Sequence, residues 1–99
     1  MMENYPVNEA LDNMEGDFEI DLVNGLSGVT YVNAPVWLTS TMNEILQEYH
    51  TDLGINPNAK VHFVNKRTLK EESDRACTVE QMGLKAGDVL CITDDAKVA

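Results

Sequence analysis

The first 59 residues of this 99-residue chain contain no lysine or arginine, although they hold ten aspartates and glutamates. Positions 60–99 carry seven acidic and seven basic residues, so the formal charge of -10 arises from the first part alone. Because acidic surfaces are repelled by nucleic-acid phosphates and by anionic lipids, the charge argues against nucleic acid as a partner. A protein partner with a basic surface is a better expectation. The alternative is that the acidic residues only keep the protein in solution.

The sequence also lacks long apolar runs and has few cysteines. No apolar run reaches the about 18 residues needed to cross a bilayer, so direct membrane insertion is not expected. The start of the chain has neither the basic residues nor the apolar centre of an export signal. Two cysteines without such a signal indicate a reduced, cytoplasmic protein, in which Cys77 and Cys91 are expected to be small packing residues.

Catalytic and metal sites have little support in the sequence. The two histidines and two cysteines do not have the spacing of metal ligands, so neither a metal nor another cofactor is expected. Cys91 and His62 could be neighbours on adjacent strands, but a Cys–His nucleophile also needs an orienting group and a pocket. His50 lies near a helix end, where a structural role is expected. The chain is therefore not expected to be an enzyme.

Alternation of apolar and polar residues begins after residues 1–16, which are expected to form an acidic, disordered tail. In "DFEIDLV" the apolar side chains point one way and the acidic ones the other, which predicts a strand with one buried face. "NGLSG" is typical of a turn, and "VTYVNA" is predicted to be the returning strand. The hairpin is predicted over residues 17–34, and Pro35 is expected to end it because proline cannot donate a ladder hydrogen bond.

The stretch "TSTMNEILQEYHTDLG" predicts a helix. Thr41 followed by Glu44 fits a capping box, although Thr39 or Ser40 could be the cap. Gly54 suits the residue after the helix, and a proline follows that prevents its resumption. An acidic stripe lies on the expected solvent side, and an apolar stripe with helical spacing is expected to face the core: Met42, Ile45, Leu46, Tyr49 and Leu53.

The second half of the chain predicts further strands. "AKVHFVN" alternates, "NKR" is a polar turn, and a short strand is predicted around Thr68–Leu69, followed by a charged loop. "TVEQMGL" predicts one helical turn, and "KAGD" leads into a last strand over Val89–Thr93. The first and last strands can pair in parallel at the centre. The result is an α+β domain over residues 17–94, with a mixed sheet of four to five strands packed on one helix and a short tail at 95–99.

This order of elements resembles the β-grasp fold of ubiquitin-like proteins. The most specific stretch is "VHFVNKRTLKEESDRACTVEQMGLKAGDVLCI", which follows the usual second half of such a domain. Within it, the "VNK" turn, the Gly-Leu pair and "AGDVLCI" resemble the small bacterial YukD-type proteins that accompany type VII secretion systems. The resemblance implies a cytoplasmic protein-interaction module that is not conjugated to other proteins.

Two alternatives come from other functional classes. Ubiquitin-like modifiers and sulfur carriers act through a tail that ends in Gly-Gly. This chain ends "DDAKVA", and its last glycines, Gly83 and Gly87, precede the final strand, which disfavours that alternative. The other is a regulatory subunit of a multicomponent enzyme, because some β-grasp proteins serve in that way and fold alone does not determine function.

The resemblance also indicates where partners bind, because ubiquitin-like proteins use the open face of the sheet. The alternative is an ordinary exposed face, where scattered apolar residues need no explanation. Val23 of the first strand is a further candidate for this face. The corresponding residues on the third and last strands are His62, Val64, Val89, Cys91 and Thr93.

Three residues outside this face are also candidates for an interface. Trp37, before the helix, is expected either to close one end of the core, which is the commoner role, or to be exposed at an interface. Lys66 and Arg67 belong to a basic cluster around the third and fourth strands. Together with the acidic helix face this would make the domain electrically two-ended, which favours oriented docking and permits weak head-to-tail self-association. The oligomeric state is not indicated. The cluster comprises Lys60, Lys66, Arg67, Lys70 and Arg75.

Overall fold

A computed structural model describes residues 16–97 of the chain. The predicted acidic tail lies outside the described residues, except for Gly16. That glycine is packed tightly on the end of the hairpin, because a Cβ atom there would collide with the carbonyl oxygen of Val36. The adjacent Asp17 N–H donates to the same oxygen at 2.7 Å. The described part of the chain therefore begins at a close backbone contact.

The hairpin consists of β1 (Phe18–Asn24) and β2 (Thr30–Val36), which pair antiparallel. The prediction that Pro35 ends the second strand is wrong, because Pro35 lies within β2, opposite Glu19. The reason is position in the sheet. Since β2 pairs only with β1, proline can occupy this edge strand where its missing N–H would have no ladder partner.

The single α-helix, α1 (Met42–Leu53), has the predicted capping box. The Thr41 hydroxyl accepts from the Glu44 N–H at 3.1 Å, and the Glu44 carboxylate accepts from the Thr41 N–H at 2.9 Å. A cap of this kind stabilises a helix by about 1 kcal/mol. Gly54 follows in the left-handed region with φ 71°, as expected for a helix end. All five residues of the predicted apolar stripe are buried.

The second half contains β3 (Val61–Asn65), β4 (Glu71–Glu72) and β5 (Val89–Asp94), and then a 3-10 turn at Asp95–Lys97. The prediction of a short strand around Thr68–Leu69 is wrong. Leu69 instead closes the turn after β3, with φ 65° and its N–H donating to the Asn65 carbonyl at 2.7 Å. Strand pairing therefore starts only at β4, within the stretch predicted to be a loop.

The five strands form one mixed sheet in the order β2-β1-β5-β3-β4. The central β1 and β5 are parallel, as predicted, and the other neighbouring strands are antiparallel. One mixed sheet packed with one helix is an α+β arrangement, and it is compatible with the expected β-grasp fold. Apolar side chains that are 0% exposed come from all the strands except β4, from α1 and from the segment before β5: Ile20, Leu22, Ala34, Met42, Leu46, Leu53, Phe63, Val79, Met82, Leu90 and Ile92.

Two buried asparagines connect strand ends to distant loops. Asn24, at the end of β1, donates its amide N–H to the carbonyl of Leu53 at 3.0 Å. Asn65, at the end of β3, donates to the carbonyl of Met82, also at 3.0 Å. Each side-chain oxygen accepts backbone N–H groups from the turn that follows it. Because buried polar groups need partners, these bonds hold the turns against the helix end and against the segment before β5.

Candidate interaction surface

A row of three apolar side chains crosses the sheet on the face opposite α1. Cys91 on β5 lies directly opposite Val23 in the parallel pair and opposite Val64 in the antiparallel pair. Side chains alternate between the two faces of a strand, and the neighbours of these three along their strands, such as Leu22 and Phe63, are fully buried. Val23, Cys91 and Val64 are each half-buried. They form one contiguous strip, called the apolar row below.

Thr93 shares this face but offers a partner little surface. It lies opposite His62 in the β3–β5 pair, yet only 9% of it is exposed. Gly25 closes over it, with its N–H donating to the Ile92 carbonyl at 2.9 Å. A Cβ atom on Gly25 would collide with Thr93 Oγ1 and would lie 2.8 Å from Cys91 Sγ. The absence of a side chain therefore permits a close approach that covers Thr93 and borders the apolar row.

His62 lies between two carboxylates at one end of the face. Its Nδ1 is 2.5 Å from Asp95 Oδ1, and its Nε2 is 3.3 Å from Glu71 Oε2. Asp95 is also held through its N–H, which donates to the Lys60 carbonyl at 2.8 Å. A neutral imidazole has one N–H to donate, and a protonated one has two. The arrangement attaches the 3-10 turn to β3 and places two acidic groups beside the apolar row.

The other end of the face is also polar. Val89 lies opposite Asp21 in the parallel pair and is half-buried. Asp21 accepts a hydrogen bond from the Asn33 N–H at 2.9 Å. The exposed Lys66 donates its backbone N–H to the Val89 carbonyl at 2.9 Å. Four of the five sequence-predicted face residues therefore present surface, with Thr93 the exception, and charged groups border them at both ends.

Arg67 has a structural role beside this face. Its guanidinium donates to both oxygens of Asp88, at 2.9 to 3.1 Å, and to the carbonyl of Gly83 at 2.9 Å. The hydrogen bond from Arg67 is the main cause that holds the pKa of the Asp88 carboxyl below its usual value. The same bond raises the pKa of Arg67. Arg67 therefore joins the turn after β3 to the turn before β5.

Other cations of the predicted basic cluster are also bonded within the domain. Lys70 Nζ donates to the carbonyl of Gln81 at 2.6 Å. Arg75 donates to Asn43 Oδ1 and to two loop carbonyls, those of residues 57 and 59, which fastens its loop to the start of α1. With Arg67, three of the five cations of the cluster make such internal bonds. Fewer positively charged groups are therefore available to bind a partner.

The prediction that Trp37 closes one end of the core is wrong. Its side chain is 48% exposed and lies outside the buried core cluster. The physical reason is a tight turn between β2 and α1. The Trp37 N–H donates to Ser40 Oγ at 2.9 Å, and the Ser40 N–H donates to the Trp37 carbonyl at 3.0 Å. This turn directs the chain from the end of β2 to the start of α1, and Trp37 lies at the surface.

The two cysteines are free and differ in environment. Cys77 is buried, and the pKa of its thiol is raised mainly because of this burial. Cys91 is half-buried within the apolar row, with its Sγ 3.8 Å from Thr93 Oγ1. Both ring nitrogens of His62 face carboxylates, so this histidine is not positioned as a base for Cys91. Among residues 16–97, no three His, Cys, Asp or Glu side chains are grouped to hold a metal ion.

Sequence reasoning identifies His62 but misses its two carboxylate partners. Asp95 is 33 residues away in the chain, and no local pattern connects the two positions. Glu71 falls within the predicted loop, because the sequence places the fourth strand too early. Val23 can be found from the alternation of β1, and the structure places it directly beside Cys91.

Comparison with known proteins gives no family assignment. No protein-family model matches the chain, and a search of curated proteins returned no significant match. Within the described range 16–97, no helix has both the length and the apolar character needed to cross a bilayer. The functional assignment therefore depends on the fold, the surface chemistry and the sequence resemblance described above.

Proposed function

We propose that this chain is a non-enzymatic ubiquitin-like module that binds a protein partner non-covalently through the open face of its sheet. The observation that carries the proposal is the alignment of Val23, Cys91 and Val64 across three adjacent strands. A contiguous apolar strip bordered by polar groups is typical of a protein interaction site. The strip occupies the face that α1 leaves uncovered.

The chemistry of the border indicates what the partner presents. Glu71 and Asp95 lie at one end of the face and Asp21 lies towards the other, so basic groups around a small apolar contact would match it. Three half-buried side chains make a small contact centre. We therefore expect a small interface, and interfaces that bury less than about 1,200 Å² in total are typically transient. We therefore expect weak, reversible binding in which charge contributes mainly to the rate and orientation of docking.

For the biological setting we propose an accessory component of a bacterial type VII secretion system, acting in the cytoplasm. The support is the resemblance of the "VNK" turn, the Gly-Leu pair and "AGDVLCI" to YukD-type proteins. A β-grasp-compatible fold agrees with that resemblance. The secretion setting and binding through the sheet face are separate claims. Evidence against the setting would not contradict the binding.

Complementation in a host that carries a type VII system tests both parts. The chromosomal copy is deleted and replaced by the native chain, by Val64→Arg or by Leu69→Arg, and secreted type VII substrates are measured. Leu69 is the matched control, because it is 72% exposed and lies in the turn after β3. We expect the native chain and Leu69→Arg to restore secretion and Val64→Arg to fail while remaining folded. Normal secretion in the deletion strain would contradict the setting. Full activity of a folded Val64→Arg would contradict the use of the face.

A further inference from the structure

A second surface lies at the start of α1, away from the apolar row. Trp37 is 48% exposed and Leu38, beside it, is 39% exposed. Two adjoining grooves share Trp37, Ser40, Glu44 and Glu48 in their walls. No lysine or arginine of the described chain lines either groove. The surface thus combines an accessible indole with two carboxylates one helical turn apart, and it is called the Trp37 groove below.

The charges around this groove have one sign. Glu44 and Glu48 are exposed, and Asp17 approaches from the sheet side, where it accepts from the Leu38 N–H at 2.8 Å. The cation that reaches this end of α1 is Arg75, and its guanidinium is occupied by three oxygen acceptors. Among the described residues no salt bridge joins Glu48 to a cation. The negative potential here is therefore not neutralised within the described domain.

We propose that the Trp37 groove binds a lysine- and arginine-rich segment of a partner protein. One cationic side chain lies over the indole of Trp37, and others pair with Glu44 and Glu48. Carboxylates at i and i+4 on a helix are about 5–6 Å apart at their Cβ atoms, close to the spacing of alternate residues in an extended chain. Arginine suits the indole best, because its planar guanidinium both stacks on aromatic rings and makes cation–π contacts.

Glu44 can take part without giving up its role in the helix cap. Its Oε1 accepts the Thr41 N–H at 2.9 Å, which leaves Oε2 available to a cation. A second copy of this chain is a poorer occupant, because Arg67, Lys70 and Arg75 are held by internal bonds. The groove and the apolar row lie on different sides of the sheet. A partner in the groove therefore leaves the row accessible, and this inference does not depend on the function proposed for that face.

The test uses the single tryptophan of the full-length chain as its reporter. An acetylated and amidated peptide of alternating arginine and glycine is titrated at low salt, with a glutamine–glycine peptide as its control. We expect a saturable change in Trp37 emission with the arginine peptide alone. The double variant Glu44→Gln/Glu48→Gln should bind at least about threefold more weakly, and the side-chain amide oxygen introduced by Glu44→Gln can still accept the capping hydrogen bond. The Trp37→Phe variant should bind the arginine peptide about fivefold more weakly, as measured by calorimetry.

Asp52→Asn is the control for position on the helix: it removes one negative charge from α1, against two in the double variant, and Asp52 does not line the groove. Its affinity should stay within about twofold of the native value, since Asp52 lies one helical turn beyond Glu48 and two beyond Glu44 and makes no direct pair with a cation held in the groove. An equal loss of affinity in Asp52→Asn would contradict the site. Calorimetric binding without a change in emission would place the peptide elsewhere and would also contradict it. Emission that depends on protein concentration without peptide would identify a second copy as the occupant and overturn the proposal.

Discussion

Arg67 and Asp88 form a bidentate ion pair between the turn after β3 and the turn before β5. The Arg67 Nε lies 2.9 Å and 3.1 Å from the two carboxylate oxygens of Asp88, and 8% of Asp88 is exposed. Asp88 also accepts the Lys85 N–H at 2.9 Å. The strands joined by this pair carry Val64 and Cys91, so the pair supports two members of the apolar row from outside the face.

The ion pair makes stability depend on pH. The pKa of Asp88 is lowered in the folded protein, chiefly by the Arg67 hydrogen bond. The ionised carboxylate therefore stabilises the folded state fully above the unfolded pKa of about 4. This stabilisation is lost as the pH falls through the pKa of the folded state. Asp88→Asn should reduce the free energy of unfolding by about 1–2 kcal/mol at pH 6. In urea titrations at pH 3, the free energies of unfolding of Asp88→Asn and of the native chain should differ less than at pH 6. An equal difference at both pH values would contradict a stabilising role for the ionised Asp88.

The two thiols should react at different rates. Burial raises the pKa of Cys77, which lowers its thiolate fraction at a given pH, and the thiolate is the reactive form. Native protein treated with a thiol reagent at pH 8 should therefore show Cys91 reacting at least about tenfold faster than Cys77. Cys91→Ser should remove the fast phase, and Cys77→Ser should retain it. Two equal rates in the folded native chain would contradict the difference in accessibility between the buried Cys77 and the half-buried Cys91.

His62 should determine how firmly the 3-10 turn at Asp95–Lys97 is held. With His62→Ala the Asp95 carboxylate loses its ring partner, and the hydrogen bond from the Asp95 N–H to the Lys60 carbonyl remains. Exchange of the Asp95 amide hydrogen, followed by NMR, should become about tenfold faster. His50→Ala is the matched control, because His50 lies on α1, and it should leave this amide unaffected. Equal exchange in the native chain and His62→Ala would mean that the ring does not hold the turn.

The acidic surroundings of Trp37 should be visible without any partner. A cationic quencher is concentrated near negative charge and an anionic one is repelled, so caesium should quench the fluorescence relatively more than iodide, compared with free tryptophan amide. The preference should fall in Glu44→Gln/Glu48→Gln and change less in Asp52→Asn. Resistance to both quenchers would instead indicate a buried indole and contradict the exposure of Trp37.

Sequence periodicity is sufficient for the parts of the fold that depend on local pattern. The capping box at Thr41, the apolar stripe of α1 and the alternation of β3 are all predicted and all observed. These features can be predicted because each depends on residues within a few positions of one another. The parallel pairing of the first and last strands follows from the element order and from the need for one helix to cover one sheet face.

The errors arise where tertiary position overrides local preference. Pro35 is tolerated because β2 is an edge strand, and that cannot be read from the hairpin alone. The position of β4 depends on the length of the turn that ends at Leu69, a non-glycine residue with positive φ. Trp37 is exposed because a turn with Ser40 carries it away from the core. The carboxylate partners of His62 come from two separate segments that only the folded chain brings together.

The central claim, non-covalent binding through the apolar row, is tested most directly by photo-crosslinking in the native host. A benzophenone amino acid replaces Val64 in one tagged full-length variant and the exposed Lys85 in another. We expect a discrete heavier band after irradiation for the probe at position 64 and none at 85. Without irradiation, a denaturing gel should contain one band near 11.0 kDa plus the tag. A ladder of heavier bands without irradiation, or identical crosslinks from both positions, would contradict the claim.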